Sequence, residues 1–222
     1  MAGQALISLS PRLLKGSLLR VGITGGIGSG KSLLARIFTN LGIPLYDADS
    51  RAKHLMVEAG ALKNQIIDAF GHEAYADGQL NRRHLAQAFQ QEGMRQKLNA
   101  LVHPAVEADF EVWAELPHQA PYLLKEAALL FEAGSYKRLH VMVNVACPAE
   151  ERMARVQQRD PQRTEAEIRG IINSQLTDEE RSSRSDVTLY NGDPDQVLTQ
   201  VLELHEALVT LSLTRGLENA SA

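Results

Sequence analysis

Residues 18–41 read LLRVGITGGIGSGKSLLARIFTNL, and this stretch decides the fold. It opens with a short apolar run, 18–24, that ends in glycines and predicts a buried strand. From Ser32 to Leu41, apolar residues recur every three or four positions, which predicts an amphipathic helix closed by Gly42. The stretch therefore predicts a strand, a glycine-rich turn and a helix in succession.

The turn matches the pattern G-x-x-x-x-G-K-[ST]. Its residues are Gly25, Gly26, Ile27, Gly28, Ser29, Gly30, Lys31 and Ser32. Four glycines let main-chain N–H groups turn towards phosphate oxygens, and the following helix adds the positive end of its dipole. Lys31 would bridge the β- and γ-phosphates, and the Ser32 hydroxyl would ligate Mg²⁺. A dinucleotide-binding loop is excluded because Lys31 occupies its third glycine position. We expect the chain to bind a nucleoside triphosphate.

The composition is that of an ordinary globular protein. The 222 residues are 44% hydrophobic and 23% charged, with a net charge of −4. This length suits one domain with an added lobe, or two small domains. No apolar run approaches the ~18 residues of a membrane helix, and the charge gives no support to broad nucleic-acid binding. The single cysteine, Cys147, fits a reducing compartment, so we expect a cytoplasmic protein without membrane or nucleic-acid partners.

The first residues allow two interpretations. The segment 1–20 contains Arg12, Lys15 and Arg20 but no acidic residue, which is typical of a transit peptide. Its leucines form no continuous apolar region, and no cleavage pattern follows. The alternative, which we favour, is an extension over 1–17 ahead of the first strand.

Strand and helix patterns alternate along the rest of the chain. Further strands are predicted at Ile43–Tyr46, Pro121–Phe131, His140–Cys147 and Asp186–Tyr190, and an amphipathic helix follows the last of them. Mainly helical patterning fills 50–116, where Pro104 should break one helix and start another. Strands separated by helices predict an α/β three-layer fold with a five-stranded parallel sheet. The helical stretch would form a lobe inserted at about 58–118, within a domain spanning 18–222.

Two carboxylates follow the second predicted strand, at Asp47-Ala48-Asp49. Ligands of parallel α/β sheets gather beyond the carboxyl ends of strands, where these carboxylates could orient an acceptor hydroxyl and take its proton. The alternative is that Asp49 caps a helix starting at Ser50, which would not exclude a catalytic role.

Arginines are concentrated in the segment 150–184. It holds seven of the sixteen arginines and none of the seven lysines. Arg152, Arg155 and Arg159 share one helical face, and like charges at this spacing repel unless an anion neutralises them. The segment predicts an arginine-rich lid over phosphates that excludes water. A solvated surface helix paired with nearby acids is the alternative.

Longer strings carry a family resemblance. The runs VGITGGIGSGKS and LGIPLYDADSRAKHL, with Leu101-Val102-His103-Pro104 and Gln158-Arg159-Asp160, resemble the dephospho-CoA kinase family. Similar pieces cover nearly the whole chain after residue 20. The chain departs from the family pattern at Ala128, where many members carry proline, and at Leu33, where threonine is common.

The resemblance implies a reaction and a set of site residues. The reaction is transfer of the γ-phosphoryl group of ATP, with Mg²⁺, to the ribose 3′-hydroxyl of dephospho-CoA. The acceptor base would be Asp49, with Asp47 beside it, and Arg159 would be the lid arginine on the ATP phosphates. The acceptor lobe would contribute Arg83 and His103. Asn191 would lie by the adenine, and Leu33 would join the loop residues that bind ATP.

Two other functions stay open. The loop alone also suits a kinase for another small hydroxyl or nucleotide acceptor. A non-catalytic nucleotide-binding regulator is the second alternative, although no N-K-x-D base-reading motif of a GTPase is present. We expect a monomer or weak oligomer.

Overall fold

The computed structural model describes residues 18–192 and 194–220, so the predicted extension over 1–17 lies outside it. The strands are β1 (Leu19–Thr24), β2 (Leu45–Asp47), β3 (Tyr75–Ala76), β4 (Gln79–Leu80), β5 (Tyr122–Glu126), β6 (Val141–Ala146) and β7 (Val187–Tyr190). The helices are α1 (Lys31–Asn40), α2 (Ala48–Val57), α3 (Ala61–Phe70), α4 (Arg82–Ala88), α5 (Met94–Ala114), α6 (Ala149–Arg159), α7 (Glu165–Asn173), α8 (Asp178–Arg184) and α9 (Pro194–Ala220).

The main sheet has five strands in the order β2-β5-β1-β6-β7, which confirms the predicted α/β sheet. Strand β1 lies at its centre and runs parallel to both neighbours, pairing Leu19 with Tyr122 and Val21 with Val141. Every residue of β1 is buried, as expected of a central strand covered on both faces. The glycine-rich turn follows the carboxyl end of β1. It therefore lies where the parallel strands of the sheet end.

Helices α1 and α9 contribute to the core beside the sheet. Phe38 of α1 is fully buried and meets Tyr122 of β5 edge to face, with ring centroids 6.5 Å apart. The Tyr122 hydroxyl lies 2.7 Å from Nδ1 of His205 in α9. Helix α1 ends as predicted, because the N–H groups of Gly42 and Ile43 bond to carbonyls of the last turn. These contacts fix the helix that follows the glycine-rich turn.

The chain divides into two compact units. One comprises 1–46 and 118–222, and the other comprises 47–117. The described part of the first unit holds the sheet with α1 and α6–α9, while the second holds the helices α2–α5. The lobe boundaries predicted at about 58 and 118 stay a prediction.

The second unit is built mainly from helix contacts. Arg51 of α2 donates from Nε and Nη2 to the two carboxylate oxygens of Asp109 in α5. A small antiparallel hairpin, β3–β4, turns through Asp77 and Gly78, and the sequence patterns did not predict it. Its two-residue strands are too short to show an alternating pattern.

Two sequence predictions about elements are wrong. Pro104 does not break the helical stretch but lies inside the continuous helix α5. Proline removes one main-chain donor, and the buried side chains of Val102, Val106 and Phe110 hold both halves on one apolar face. The third predicted strand stops at Glu126, and the apolar residues after it form a turn that buries Leu130 and Phe131. The predicted strand was too long because the apolar residues after Glu126 are buried in a turn and do not pair as a strand.

Candidate active site

The glycine-rich loop, 25–32, folds between β1 and α1 as predicted. Inside it, the Ser29 N–H donates to the Gly26 carbonyl at 3.1 Å. Helix α1 begins at Lys31, with Gly30 as an N-cap that supplies no side-chain hydrogen bond. No acidic residue lies in its first turn. The positive end of the α1 dipole therefore has no side-chain cap and no first-turn acid to neutralise it, which favours anion binding.

Ser32 contacts an acid on a neighbouring strand. Its hydroxyl donates to Oε1 of Glu126 at 2.9 Å. Glu126 is the last residue of β5, and only 7% of it is exposed. Glu126 was not among the predicted site residues; the one sequence signal for it is an acid at the end of an apolar strand, and the neighbouring position of that strand comes from the fold. The Ser32 hydroxyl and the Glu126 carboxylate thus place two oxygen atoms that can act as metal ligands at the start of α1.

Helix α6 lies directly against the loop. A Cβ atom on Gly26 would collide with Nη1 of Arg152, and one on Gly28 would collide with the main-chain carbonyl of Arg152. Arg152 is buried, and its Nη2 pairs with Asp178 at 2.9 Å. Arg152, the first of the three arginines on the predicted face of α6, therefore lies against the glycine-rich loop.

The other two arginines of that face have different surroundings. Arg155 donates from Nη2 to the Asn191 carbonyl at 3.0 Å and to Glu151 at 3.1 Å. Arg159, the predicted lid arginine, is 63% exposed in its side chain and pairs with Asp160 at 2.9 Å. This hydrogen bond is the main cause that lowers the pKa of Asp160. Arg159 thus lies at the end of α6, on its solvated part.

Two side chains from outside the loop hold its main chain. Asn191 donates from Nδ2 to the Ser29 carbonyl at 2.7 Å. Gln175, in the turn after α7, accepts from the Ile27 N–H at 2.9 Å. The family resemblance predicted that Asn191 lies by the adenine. Gln175 had no predicted role, because a lone glutamine after a helix has no distinguishing pattern. Both residues join the loop to the last third of the chain.

The carboxylates Asp47 and Asp49 begin the second unit. Asp47 caps α2 and accepts from the Ser50 N–H at 3.0 Å and from the Ser50 hydroxyl at 2.6 Å. The alternative in which Asp49 caps a helix starting at Ser50 is therefore wrong. Asp49 lies exposed in the first turn of α2, a position that acids favour because of the helix dipole.

The predicted acceptor-lobe residues also lie in the second unit. Arg83 is exposed in the first turn of α4, which Asn81 caps by accepting from the His84 N–H at 3.1 Å. His103 is half-buried within α5. Each therefore lies on a helix, as the patterning between the second and third predicted strands indicated.

Comparison with known proteins identifies the family. The model of the dephospho-CoA kinase family matches residues 19–196. The chain belongs to the dephospho-CoA kinase family. The dephospho-CoA kinase of Bacteroides fragilis strain YCH46 is 31% identical over 84% of this chain and 91% of its own length. That of Salinibacter ruber is 38% identical over 77% of this chain and 87% of its own length.

A solved structure shares the fold of this chain. The Thermus thermophilus protein TT1252 is 33% identical and superposes with a TM-score of 0.73, covering 85% of this chain and 96% of its own. Membership in the dephospho-CoA kinase family confirms the predicted P-loop kinase fold, the kinase class and the link to coenzyme A synthesis. It also implies the use of ATP, as the loop predicted. In the described part of the chain, no helix is long and apolar enough to cross a membrane.

Proposed function

We propose that the chain transfers the γ-phosphoryl group of ATP to the ribose 3′-hydroxyl of dephospho-CoA, giving CoA and ADP. The observation that carries this proposal is the loop 25–32, whose helix end at Lys31 has no capping side chain. Such an end binds phosphate through main-chain N–H groups and the helix dipole. Family membership supports dephospho-CoA as the acceptor.

On the ATP side, the loop and its supporting residues would bind the triphosphate. Lys31 would bridge the β- and γ-phosphates, and Arg159 would close on them from the lid at about 150–184. Asn191 donates a hydrogen bond to the Ser29 carbonyl. Asn191 also begins the turn that would bind the adenine, so this hydrogen bond would align the loop with that turn. Leu33 follows the loop at the first turn of α1 and would complete the ATP site.

The residues present also fit Mg²⁺. Ser32 and Glu126 offer two oxygen donors 2.9 Å apart, the ligand chemistry that Mg²⁺ prefers. Among the described residues, no group of three or more His, Cys, Asp or Glu side chains could hold a metal by itself. This suits an ion held by one or two protein oxygens together with phosphates and water. When bound, Mg²⁺ would supply positive charge to the β- and γ-phosphate oxygens.

On the acceptor side, Asp49 would act as the base. The acceptor 3′-oxygen forms a bond to the γ-phosphorus while the bond from that phosphorus to the β–γ bridging oxygen breaks. The proton of the 3′-hydroxyl passes to the Asp49 carboxylate, and ADP leaves. Asp47 would fix the start of α2 through Ser50, and Arg83 and His103 would bind the acceptor from the lobe at about 58–118.

We further propose a cytoplasmic setting and a monomer or weak oligomer, acting without nucleic-acid or membrane partners. The single cysteine supports a reducing compartment, because it has no partner for an internal disulfide. Burial raises the pKa of the Cys147 thiol, which suits a packing role and not a reactive one.

The first experiment measures ADP release from Mg-ATP with dephospho-CoA, and with AMP, CMP and shikimate as rival acceptors. We expect stimulation by dephospho-CoA alone, with CoA formed in equal amount. Stimulation by a rival acceptor would redirect the assignment to that acceptor. ATP binding without any stimulated release would indicate a nucleotide-binding regulator.

A second experiment tests the assigned base. Asp49→Asn should lower kcat by about 10²–10⁴-fold, the usual contribution of a general base, while ADP affinity is retained. Asp68→Asn is a matched control, since Asp68 is exposed on α3 of the same unit and has no assigned role. Turnover near that of the unmodified enzyme in Asp49→Asn would remove the proposed role of Asp49.

A further inference from the structure

Two buried arginines lie against the phosphate loop with one carboxylate between them. Arg152 of α6 is 4% exposed, and Arg181 of α8 is 1% exposed. Both form an ion pair with Asp178, the only acidic side chain within 4 Å of either guanidinium in the described part of the chain. The cluster of Arg152, Asp178 and Arg181 therefore carries one surplus positive charge away from solvent. A buried charge is unfavourable unless a counter-charge is supplied.

The same cluster has unused hydrogen-bond donors. Among the described residues, Arg152 Nε, Arg152 Nη1 and Arg181 Nε are buried and have no hydrogen-bond partner. The remaining three nitrogens are engaged: Arg152 Nη2 donates to Asp178 at 2.9 Å, Arg181 Nη1 donates to the Leu176 carbonyl at 2.6 Å, and Arg181 Nη2 donates to Asp178. Two of the three nitrogens of Arg152 are thus left for an acceptor that the protein does not provide.

The position of these donors indicates the missing acceptor. A Cβ on Gly26 would collide with Arg152 Nη1 and lie 3.0 Å from Arg181 Nη2. Both guanidinium groups therefore lie beside Gly26, in the loop that is proposed to bind phosphate through its N–H groups. Surplus positive charge, unpaired donors and a phosphate-binding loop occur together at Gly26.

We propose that Arg152 is a further phosphate-binding residue, which donates to a phosphate oxygen of the nucleotide held by the loop. Asp178 and Arg181 are positioning residues, since they hold the Arg152 guanidinium against Gly26. The nucleotide supplies both the missing acceptor and the missing negative charge. This role rests on the proposed function, because it requires the loop to bind ATP and ADP.

The role has an unusual consequence for stability. In the ligand-free protein, Arg152→Gln removes a surplus buried charge, so the melting temperature should stay equal or rise. With ADP present, the same variant loses a charged hydrogen bond, so the stabilisation by ADP should shrink. A residue that only packs α6 against the loop would show the opposite pattern.

The test compares the unmodified chain with Arg152→Gln and with Arg169→Gln. Arg169 is a suitable control because its side chain is 62% exposed on α7 and, among the residues that the structure describes, pairs with Glu165 of its own helix alone. Calorimetry with ADP should show affinity lowered by about 10–100-fold in Arg152→Gln, the range for a hydrogen bond to a charged group, and unchanged in Arg169→Gln. Adenosine, which lacks phosphate, should bind both variants as it binds the unmodified chain.

Each result decides between the possibilities. If the unmodified chain fails to bind ADP, the proposed function itself fails. If it binds ADP and Arg152→Gln binds equally well with a lower melting temperature, the phosphate-binding role alone is overturned. Should Arg152→Gln fail to fold, Arg152→Lys keeps the charge but loses the planar fork, and undiminished ADP affinity there would overturn the role.

Discussion

The approach of α6 to the phosphate loop can be tested at Gly28. This residue has a φ of 79°, in the left-handed region, and a Cβ there would collide with the main-chain carbonyl of Arg152. A main-chain atom cannot rotate away as a side chain can, so Gly28→Ala must displace α6 or distort the loop. We expect this single methyl group to lower both stability and nucleotide affinity.

Two costs set the magnitude. An alanine held in left-handed backbone costs about 1–2 kcal/mol relative to glycine. Overpacking of a closely packed contact costs about 1–3 kcal/mol more. The free energy of unfolding should fall by about 2–5 kcal/mol, which corresponds to about 4–20 °C in melting temperature for a chain of this size.

Gly42 provides the matched control for Gly28. Its φ is 85°, nearly that of Gly28, but a Cβ there would meet no atom within 4 Å. Gly42→Ala therefore carries only the backbone cost, about 1–2 kcal/mol, and should leave ADP affinity unchanged. Thermal unfolding and ADP calorimetry on both variants separate the two costs. Equal losses of stability, with unchanged ADP affinity in Gly28→Ala, would refute the close contact between the loop and α6.

Three further predictions concern stability. Phe38→Ala should cost about 3–5 kcal/mol in chemical unfolding, because it empties a fully buried site beside the sheet. Tyr122→Phe should cost about 1 kcal/mol, because it removes the hydrogen bond to His205; an unchanged unfolding midpoint would contradict that bond. The pKa of Glu180 is lowered by a hydrogen bond from the Thr177 main-chain N–H and, to a smaller extent, by one from the Thr177 hydroxyl. Because the pKa is lowered in the folded state, Glu180 stabilises the fold above pH 4.5, and that contribution is lost as pH falls through the lowered pKa. Thr177→Ala should move this pKa part-way upward in an NMR titration, whereas an unmoved pKa would exclude the hydroxyl contribution.

The strand, loop and helix of 18–41 were predictable because their sequence signals are local. The apolar run of β1, the glycines and the spacing of Leu34 and Phe38 each act within a few residues. Gly42 likewise closes α1 where the pattern predicted. Local propensity and the final fold agree here, so sequence reasoning succeeds.

Tertiary contacts decided the features that sequence reasoning missed. Pro104 lies inside α5 because the apolar face around it is buried, which outweighs the loss of one main-chain donor. Asp47 caps α2 because the helix begins at once after β2, two positions earlier than the pattern suggested. Helix boundaries of this kind depend on how a strand ends in its sheet.

The site residues divide in the same way. Lys31 and Ser32 belong to a contiguous motif, whereas Glu126 and Gln175 meet the loop only through the fold. The arginine face of α6 was predicted from spacing, but the spacing could not show that Arg152 is buried while Arg159 is exposed. That difference arises from the contact of α6 with the loop at Gly28.

The central position of β1 affects how the chain is made. Its neighbours are β5 and β6, whose pairing residues Tyr122 and Val141 follow Leu19 and Val21 far along the chain. At a synthesis rate of about 5–20 residues per second, the ribosome needs roughly 5–25 s to produce them. Throughout that interval the apolar strand LRVGIT has no partner strand to pair with. The apolar side chains of β1 therefore stay without their native packing on the nascent chain until β5 and β6 have been synthesised.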